Sequence, residues 1–369
     1  MGESLHIIFI ACSSIANHLM SEANKTVLVC GGAGFIGSHT CVALIESGYV
    51  PVVWDNLCNS SKESLERVAA LTGHRPQLTV IDLCNSDAVV EQMARLNAEC
   101  GGITCVILFA ALKAVGESVS QPLRYYQNNL VAALNVFQAM AACGVTRVVF
   151  SSSATVYGNA DTVPVLETSP AREATNPYGH TKVMIEQILS DMCHAQPAFS
   201  AAILRYFNPI GAHPSGTMGE DPNGIPNNLA PYLAQVAIGK REFLTVFGND
   251  WPTPDGTGVR DYIHVCDLAH GHVAAVRRLE AHAGSFTVNL GTGKGYRYHC
   301  CALLSMLHSI LFELRSVLDL LKAMESACGH SIPYKIGPRR VGDVASLYAN
   351  PERSKVYSVF MLHARTVLK

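Results

Sequence analysis

A tyrosine and a lysine four residues apart, Tyr178 and Lys182, head a helical pattern in the run Asn176-Pro177-Tyr178-Gly179-His180-Thr181-Lys182. Positions i and i+4 share a helix face. Pro177 suits a first helical turn, because it has no N–H to leave unpaired and its φ is already helical. An ammonium beside a phenol favours the phenolate, so a group with an ordinary pKa of about 10 moves toward neutrality and can serve as a base. Such a pair can take the proton of a hydroxyl group, for instance that of a sugar. The spacing alone decides nothing: with 13 tyrosines and ordinary lysine usage, chance supplies about half a Tyr-x-x-x-Lys per chain. The plain alternative is a surface helix with a lysine stacked on an aromatic ring. Two further features shift the balance, a glycine-rich turn near the N-terminus and the cluster Ser151-Ser152-Ser153 closing a buried strand upstream of Tyr178.

Those residues need a scaffold, and the hydrophobic pattern supplies one. Residues 25–30 (KTVLVC) form an apolar run ending in Gly31-Gly32-Ala33-Gly34-Phe35-Ile36-Gly37, followed by a helical pattern over 38–47. Strand, glycine turn and helix in that order let a pyrophosphate approach the N–H groups of the helix N-terminus, with Gly31, Gly34 and Gly37 as the permissive positions. A second strand over 50–54 ends at Asp55-Asn56, about twenty residues beyond the turn, where a carboxylate can bond both hydroxyls of an adenosine ribose and repel a 2′-phosphate. That favours NAD over NADP; the alternative is an aspartate merely opening a turn. Further strands are expected over 78–81, ending at Asp82, over 105–110, over 147–150 and over 201–206, with a last one over 286–290. Helices over 123–143 and 178–194 and another from about Asp267 lie between them. The pattern describes an α/β fold, a doubly wound parallel sheet of Rossmann type whose strand ends line a ligand crevice. Ser153, at the end of the fifth strand, can hydrogen-bond the hydroxyl that the phenolate attacks; otherwise the serines cap a turn. Residues 211–261 are rich in Gly, Pro, Asn and Asp, which suits a second, smaller lobe where polar groups converge on a ligand.

Composition narrows the classes. With 369 residues, 49% of them hydrophobic, and a mean hydropathy of +0.21, the chain can bury a large core in two lobes. A net charge of −2 without a basic stripe gives phosphate-driven nucleic-acid binding no source, so small molecules are the expected partners. The 13 cysteines are odd in number, irregularly spaced and without a Cys-x-x-Cys pair. That argues against a zinc site or a disulfide framework and for reduced, buried thiols. The first 20 residues carry an apolar centre, residues 7–11, but have Glu3 where a signal peptide has basic residues. The stretch is too short to span a membrane. It reads as an extension (1–24) ahead of the fold, and the expected location is the cytosol.

With these motifs in place, the chain resembles the extended short-chain dehydrogenase/reductase family, and within it the epimerases that act on sugar nucleotides. The segments that carry the resemblance are residues 31–39 (GGAGFIGSH), 109–118 (FAALKAVGES), 148–159 (VVFSSSATVYGN), 175–182 (TNPYGHTK), 204–213 (LRYFNPIGAH), 219–229 (GEDPNGIPNNL), 246–265 (VFGNDWPTPDGTGVRDYIHV) and 339–343 (RRVGD). The resemblance runs from about residue 25 to 296 and resumes over 316–351. It implies reversible inversion at C4 of UDP-galactose and UDP-glucose through a 4-keto sugar, with tightly held NAD, by a homodimer joined through the helices near 123–143 and 178–194. It implies NAD contacts from Gly34, Phe35, Ile36, Asp55, Asn56, Leu57, Cys58, Asn59, Asp82, Leu83, Phe109, Lys113, Lys182 and Tyr206. By the same carry-over Ser153, Ala154, Thr155 and Tyr178 sit at the sugar. Asn208, Asn227, Asn228, Leu229, Thr245, Val246, Phe247, Arg260, Arg340 and Asp343 hold the uridine diphosphate. Guanidinium groups suit phosphate because they pair with it bidentately.

The expected division is a dinucleotide-binding domain over 25–207 and about 258–290, and a UDP-sugar lobe over about 208–257 and 291–369. The chain departs from the family pattern at Cys30, where Thr is usual, Leu108, where His is usual, and Val341, where Glu is usual. Leu347 lies where the family varies the residue that limits sugar size, which leaves N-acetylated substrates open. Residues 297–315 read as an apolar insert, and 352–369 replace a Trp-rich C-terminal helix. Two rivals stand beside the epimerase reading. A nucleotide-sugar dehydratase needs an acid pair beside the serine position, where this chain has Ala154-Thr155; an NAD-binding regulator with impaired catalysis is favoured by the insert and altered C-terminus and opposed by intact Ser153, Tyr178 and Lys182.

Overall fold

The computed structural model describes residues 25–171, 173–293, 316–340 and 342–357. The N-terminal extension, the expected insert at 297–315, Val341 and residues 358–369 lie outside the described residues. In chain order the strands are β1 (Thr26–Cys30), β2 (Val50–Asp55), β3 (Gln77–Val80), β4 (Ile103–Leu108), β5 (Arg147–Ser153), β6 (Ser200–Tyr206), β7 (Asn208–Ile210), β8 (Leu244–Phe247), β9 (Val259–Arg260), β10 (Tyr262–His264), β11 (Phe286–Leu290), β12 (Tyr334–Gly337) and β13 (Ser346–Leu347). Seven of them form one parallel sheet in the order β11-β6-β5-β4-β1-β2-β3. The order reverses between β1 and β4, the switch point beyond which sheets of this kind bind their ligands.

The sheet is buried on both faces, which is why its strands read as apolar runs rather than alternating ones. Val27 and Val29 face one core with the helices Phe35–Glu46 and Val265–Ala281; Leu28 and Cys30 face the other with the helices Ser86–Glu99, Pro122–Ala142 and Pro177–Ala195. Cys30 and Leu108, two of the departures from the family pattern, are partners in the β1–β4 register and are almost wholly buried. The two departures thus stand at a single place in the ladder. Replacing both members together leaves no buried donor or acceptor stranded and costs little.

Several boundaries shift by one or two residues, β4 for instance running over Ile103–Leu108 rather than 105–110, and two further shifts bear on the site. The first helix begins at Phe35 rather than 38, directly behind the Gly34 N-cap. Strand β5 runs on to Ser153 rather than stopping at Phe150, because Ser151, Ser152 and Ser153 pair with Leu204, Arg205 and Tyr206 of β6. Three hydroxyl side chains in a row look like a turn, but the neighbouring strand satisfies their backbone.

A separate small core joins the helices Leu229–Ala237 and Val317–Cys328 to β8 and Tyr262. Parallel pairs β7–β10, β8–β12 and β9–β13 complete this region. The second helix opens on a reciprocal Ser316–Asp319 capping box. Asp261 ties it to the main sheet. Its Oδ1 accepts from Thr292 N (2.7 Å) and Thr292 Oγ1 (2.6 Å), and its Oδ2 from Gly293 N and Ala349 N (both 3.0 Å). Asp261→Asn turns one acceptor oxygen into an NH2 facing N–H groups in a site 4% exposed. A loss of roughly 1–3 kcal/mol in unfolding free energy is expected by denaturant titration; an unchanged midpoint would show that the loop over 291–293 does not depend on this carboxylate. The first turns of the altered C-terminus pack as a short helix, Glu352–Val356, after which Tyr357 stacks on Phe286 with ring centroids 5.3 Å apart.

Candidate active site

The helix Pro177–Ala195 starts where the side chain of its N-cap, Asn176, accepts from Gly179 N at 2.9 Å. Gly179 is required by close approach: a Cβ there would meet Ala174 Cβ at 2.8 Å and Thr155 O at 3.1 Å. Its absence lets the helix settle on the turn Ala154–Tyr157 that follows β5. Tyr178 is thereby set near Ser153, whose hydroxyl draws the pKa of the phenol down. The Ser153 hydroxyl also receives Thr155 N (3.2 Å) and Thr155 Oγ1 (3.0 Å). Lys182, 2% exposed, donates from Nζ to Ser151 O at 2.8 Å and lies 4.9 Å from the centre of the Phe150 ring and 5.7 Å from that of Tyr178. The structure thus gathers Ser153, Tyr178 and Lys182 at the C-terminal end of β5.

The charge state differs from the expectation that the lysine makes the phenol acidic. Burial pushes Tyr178 up to about 12, against the pull of the Ser153 hydrogen bond, and Lys182 down to about 7, against the support of Glu186. In each case loss of water outweighs the opposing contact, Ser153 for the phenol and Glu186 for the ammonium, so without ligand burial drives both toward their neutral forms. A stability signature follows. The unfolded lysine keeps its proton to 10.5 whereas the folded one releases it near 7. Across that window the unfolded chain binds more protons, so Lys182 makes the ligand-free chain more stable as pH rises. Urea midpoints of wild type and Lys182→Met at about pH 7 and pH 9 should show this increment in the wild type alone. The same slope in both would remove Lys182 from the account.

Glu186, one turn beyond Lys182, holds a network that sequence reading missed. It pairs with Arg205 through Nε (3.0 Å) and Nη2 (2.7 Å) and accepts from Ser152 Oγ. Arg205 Nη1 bonds Tyr157 Oη at 2.9 Å, and Tyr157 donates to Asn289 Oδ1 at 2.6 Å. The available signal was a charged residue, Arg205, inside an otherwise apolar strand.

Around the ends of β1, β2 and β4 stand the residues expected to hold a dinucleotide. Gly31 has φ +83°, and a Cβ there would meet Ala110 N at 2.7 Å. At Gly37 a Cβ would lie 2.3 Å from Gly31 O. Gly34 is different: a Cβ there meets only Gly31 O, at 3.4 Å. The protein packs nothing into that space, which lies at a helix N-terminus with no side-chain cap and no acidic residue in its first turn. Phe35 and Ile36 contribute its leading N–H groups, which suit an anion. Asp55 Oδ2 accepts from Ala33 N (3.0 Å), and its Oδ1 from Leu57 N (2.9 Å) and Ser60 Oγ (2.8 Å). Leu57 takes φ 59°, which bends the chain back over that carboxylate. Asp82 is exposed beside buried Leu83, and Phe109 follows β4 with its N–H on Cys30 O. These features fit a dinucleotide with a free ribose diol.

A loop over 211–228 crosses this edge. Asn223 bonds Asn59 Oδ1 (3.1 Å) and Cys58 O (3.2 Å), and Arg67 Nη1 donates to Thr217 O (3.1 Å). Glu220 receives Lys113 Nζ (2.9 Å) and Asn228 Nδ2 (2.7 Å). Lys113, expected to face the dinucleotide, is therefore joined through one carboxylate to Asn228, the N-cap residue of the helix Leu229–Ala237.

A second cluster gathers the expected phosphate and uridine residues. Asp343 bonds Arg340 through Nε at 2.9 Å and lies 3.6 Å from Arg260 Nη2; Arg340 stacks over Phe247 at 4.9 Å. Burial lowers the pKa of Arg260, and Asp343 opposes that. Thr245 and Val246 lie on β8 beside them, while Asn208 and Asn227 are exposed. Thr175 Oγ1 donates to Gly342 O at 3.2 Å, so this cluster meets the start of the Tyr178 helix.

A parallel sheet with this switch point, a glycine turn, an acidic residue closing β2 and a Ser-Tyr-Lys set after β5 together define a dinucleotide-dependent enzyme of the short-chain dehydrogenase/reductase class. The chain belongs to the NAD dependent epimerase/dehydratase family, whose model matches residues 27–291. It is 53% identical over 329 residues to the UDP-glucose 4-epimerase of Bacillus subtilis (strain 168), covering 89% of this chain and 90% of that protein. The UDP-glucose 4-epimerase of Homo sapiens is 50% identical over 333 residues, 89% of each chain. Among solved structures, UDP-glucose 4-epimerase from Bifidobacterium longum in complex with NAD+ and UDP superposes with a TM-score of 0.81 at 47% identity, covering 90% of this chain and 92% of that one. Among the described residues, no helix is long and apolar enough to cross a membrane.

Proposed function

We propose that this chain inverts C4 of UDP-galactose and UDP-glucose, using NAD that is regenerated in each turnover. The observation that carries the reading is the Tyr178 phenol beside Lys182 and near Ser153, at the strand ends of a dinucleotide fold. NAD, when bound, supplies the acceptor and then the donor of the C4 hydride and brings a positive ring that favours the phenolate. Tyr178 takes the proton of the C4 hydroxyl, and Ser153 orients that hydroxyl. The resulting 4-keto sugar presents its other face, after which Tyr178 returns the proton to the same oxygen. Lys182 holds the nicotinamide ribose and stabilises the deprotonated phenol. For the hexose to turn, the nucleotide must be gripped independently; Arg260, Arg340 and Phe247 form a cluster suited to a diphosphate and a planar base.

In this reading residues 25–207 and about 265–290 form the NAD-binding domain, and 208–264 with 291–369 the UDP-sugar lobe; β9 and β10, which the sequence pattern assigned to the first domain, pair with β13 and β7. Leu123, 79% exposed, and Met184, 42% exposed, lie on the two helices that would join a homodimer. The expected compartment is the cytosol. A coupled assay that reports UDP-glucose formed from UDP-galactose tests the function directly. Well-folded, NAD-loaded protein that forms none would overturn it and favour the regulator.

A further inference from the structure

Residues 211–228, between β7 and the helix Leu229–Ala237, contain no helix or strand. So long an irregular stretch is uncommon in a compact domain and is usually a lid or binding loop rather than a connector. Met218, 5% exposed, packs into the same core as the helix Phe35–Glu46, and Pro226 is buried; the residues between them are half-buried or exposed. Packing therefore fixes the ends of this segment, and polar contacts fix its middle. Glu220, 8% exposed at the side chain, receives Lys113 Nζ at 2.9 Å, beyond the end of β4. Asn223 donates from its backbone N to Asn59 Oδ1 (3.1 Å) and from Nδ2 to Cys58 O (3.2 Å), beyond the end of β2. In the sheet β1 lies between β4 and β2. Neighbouring strands are about 4.8 Å apart, so the strands that lead to the two ties stand about 10 Å apart, a gap that three extended residue steps, from 220 to 223, just span. The segment thus passes over the end of β1 and the glycine turn that follows it, the features that fit a dinucleotide.

We propose that residues 219–225 form a strap, tied down by Glu220 and Asn223, that must lift before NAD can leave or enter. The proposal rests on the NAD-dependent reading above and deepens it, assigning part of the cofactor's residence time to bonds between two parts of the protein. Both ties are made by protein groups alone, so they restrain the strap whether or not the cofactor is bound. Weakening them speeds passage in both directions and leaves the affinity, which is the ratio of the two rates, unchanged. A side chain that grips the cofactor behaves otherwise: its loss speeds release and leaves entry as it was.

The test uses the full chain. Release is read by exchange of bound NAD against an excess of labelled NAD, and entry by the rate at which the nucleotide-free chain takes NAD up. Glu220→Gln/Asn223→Ala removes the charge of one tie and the side-chain bond of the other, while the new amide oxygen still accepts from Asn228 Nδ2. Both rates should rise about tenfold, the combined worth of two partly exposed polar contacts, with the affinity within about twofold of wild type. Faster release with unchanged entry would make these side chains cofactor contacts and overturn the proposal. Wild-type rates in both directions would overturn it too, and either result leaves the NAD reading intact. If the double variant does not fold, Asn223→Ala decides, since it trims one exposed side chain: both rates should rise about threefold, the worth of one weak hydrogen bond, and unchanged rates overturn the proposal. A wild-type chain that takes up no NAD would overturn the NAD reading and the strap together.

Discussion

Tyr178→Phe is expected to lower turnover of UDP-galactose by roughly 10²–10⁴-fold, the usual contribution of a positioned acid or base, while NAD stays bound. The substitution removes one oxygen from a side chain whose ring stays beside Lys182. The glycine turn and Asp55, which account for dinucleotide affinity, are untouched. The informative comparison is therefore between two measurements on one preparation, bound nicotinamide nucleotide by absorbance and epimerisation by the coupled assay. Loss of both would point to misfolding, and Tyr178→Phe with near-full activity would remove Tyr178 as the base. Ser153→Ala offers a graded control: it leaves the phenol but removes the hydrogen bond that opposes its upward shift, so the alkaline pH needed for activity should rise.

Glu186→Ala is expected to cost about 3–5 kcal/mol in unfolding free energy, the penalty for removing one partner of a buried ion pair. Arg205 is 8% exposed and Glu186 11% at the side chain, so neither charge can turn to water. Removing the carboxylate strands the guanidinium and leaves Ser152 without its acceptor. It also withdraws the one charge that supports the protonated form of Lys182, whose pKa then falls further below about 7. Denaturant titration reads the first effect. The second appears as lower activity than wild type at neutral pH, because less of Lys182 carries the charge that supports the phenolate. A variant within about 1 kcal/mol of wild type would show that Arg205 finds other partners, of which Tyr157 Oη and Glu167 O are already in place.

The class of fold was legible because its signals are local. Apolar runs closing on Gly31 or Asp55 and the helical spacing of Tyr178 and Lys182 are fixed by a few consecutive residues. Boundaries failed where a neighbour decided them, as in β5, whose serines are held in the ladder by β6. Cys30 and Leu108 read as two separate departures, and the structure sets them opposite one another in the β1–β4 register.

The site divides in the same way. The sequence by itself determined which residue types could do the chemistry, the parallel sheet that carries them and the family the chain resembles, since each follows from short-range pattern. Only the tertiary structure decided their charge states and supports. Burial of Tyr178 and Lys182, the Glu186–Arg205–Tyr157 network and the ties of Glu220 and Asn223 join residues far apart in the chain. Desolvation depends on everything packed around a group, and no stretch of sequence contains that information.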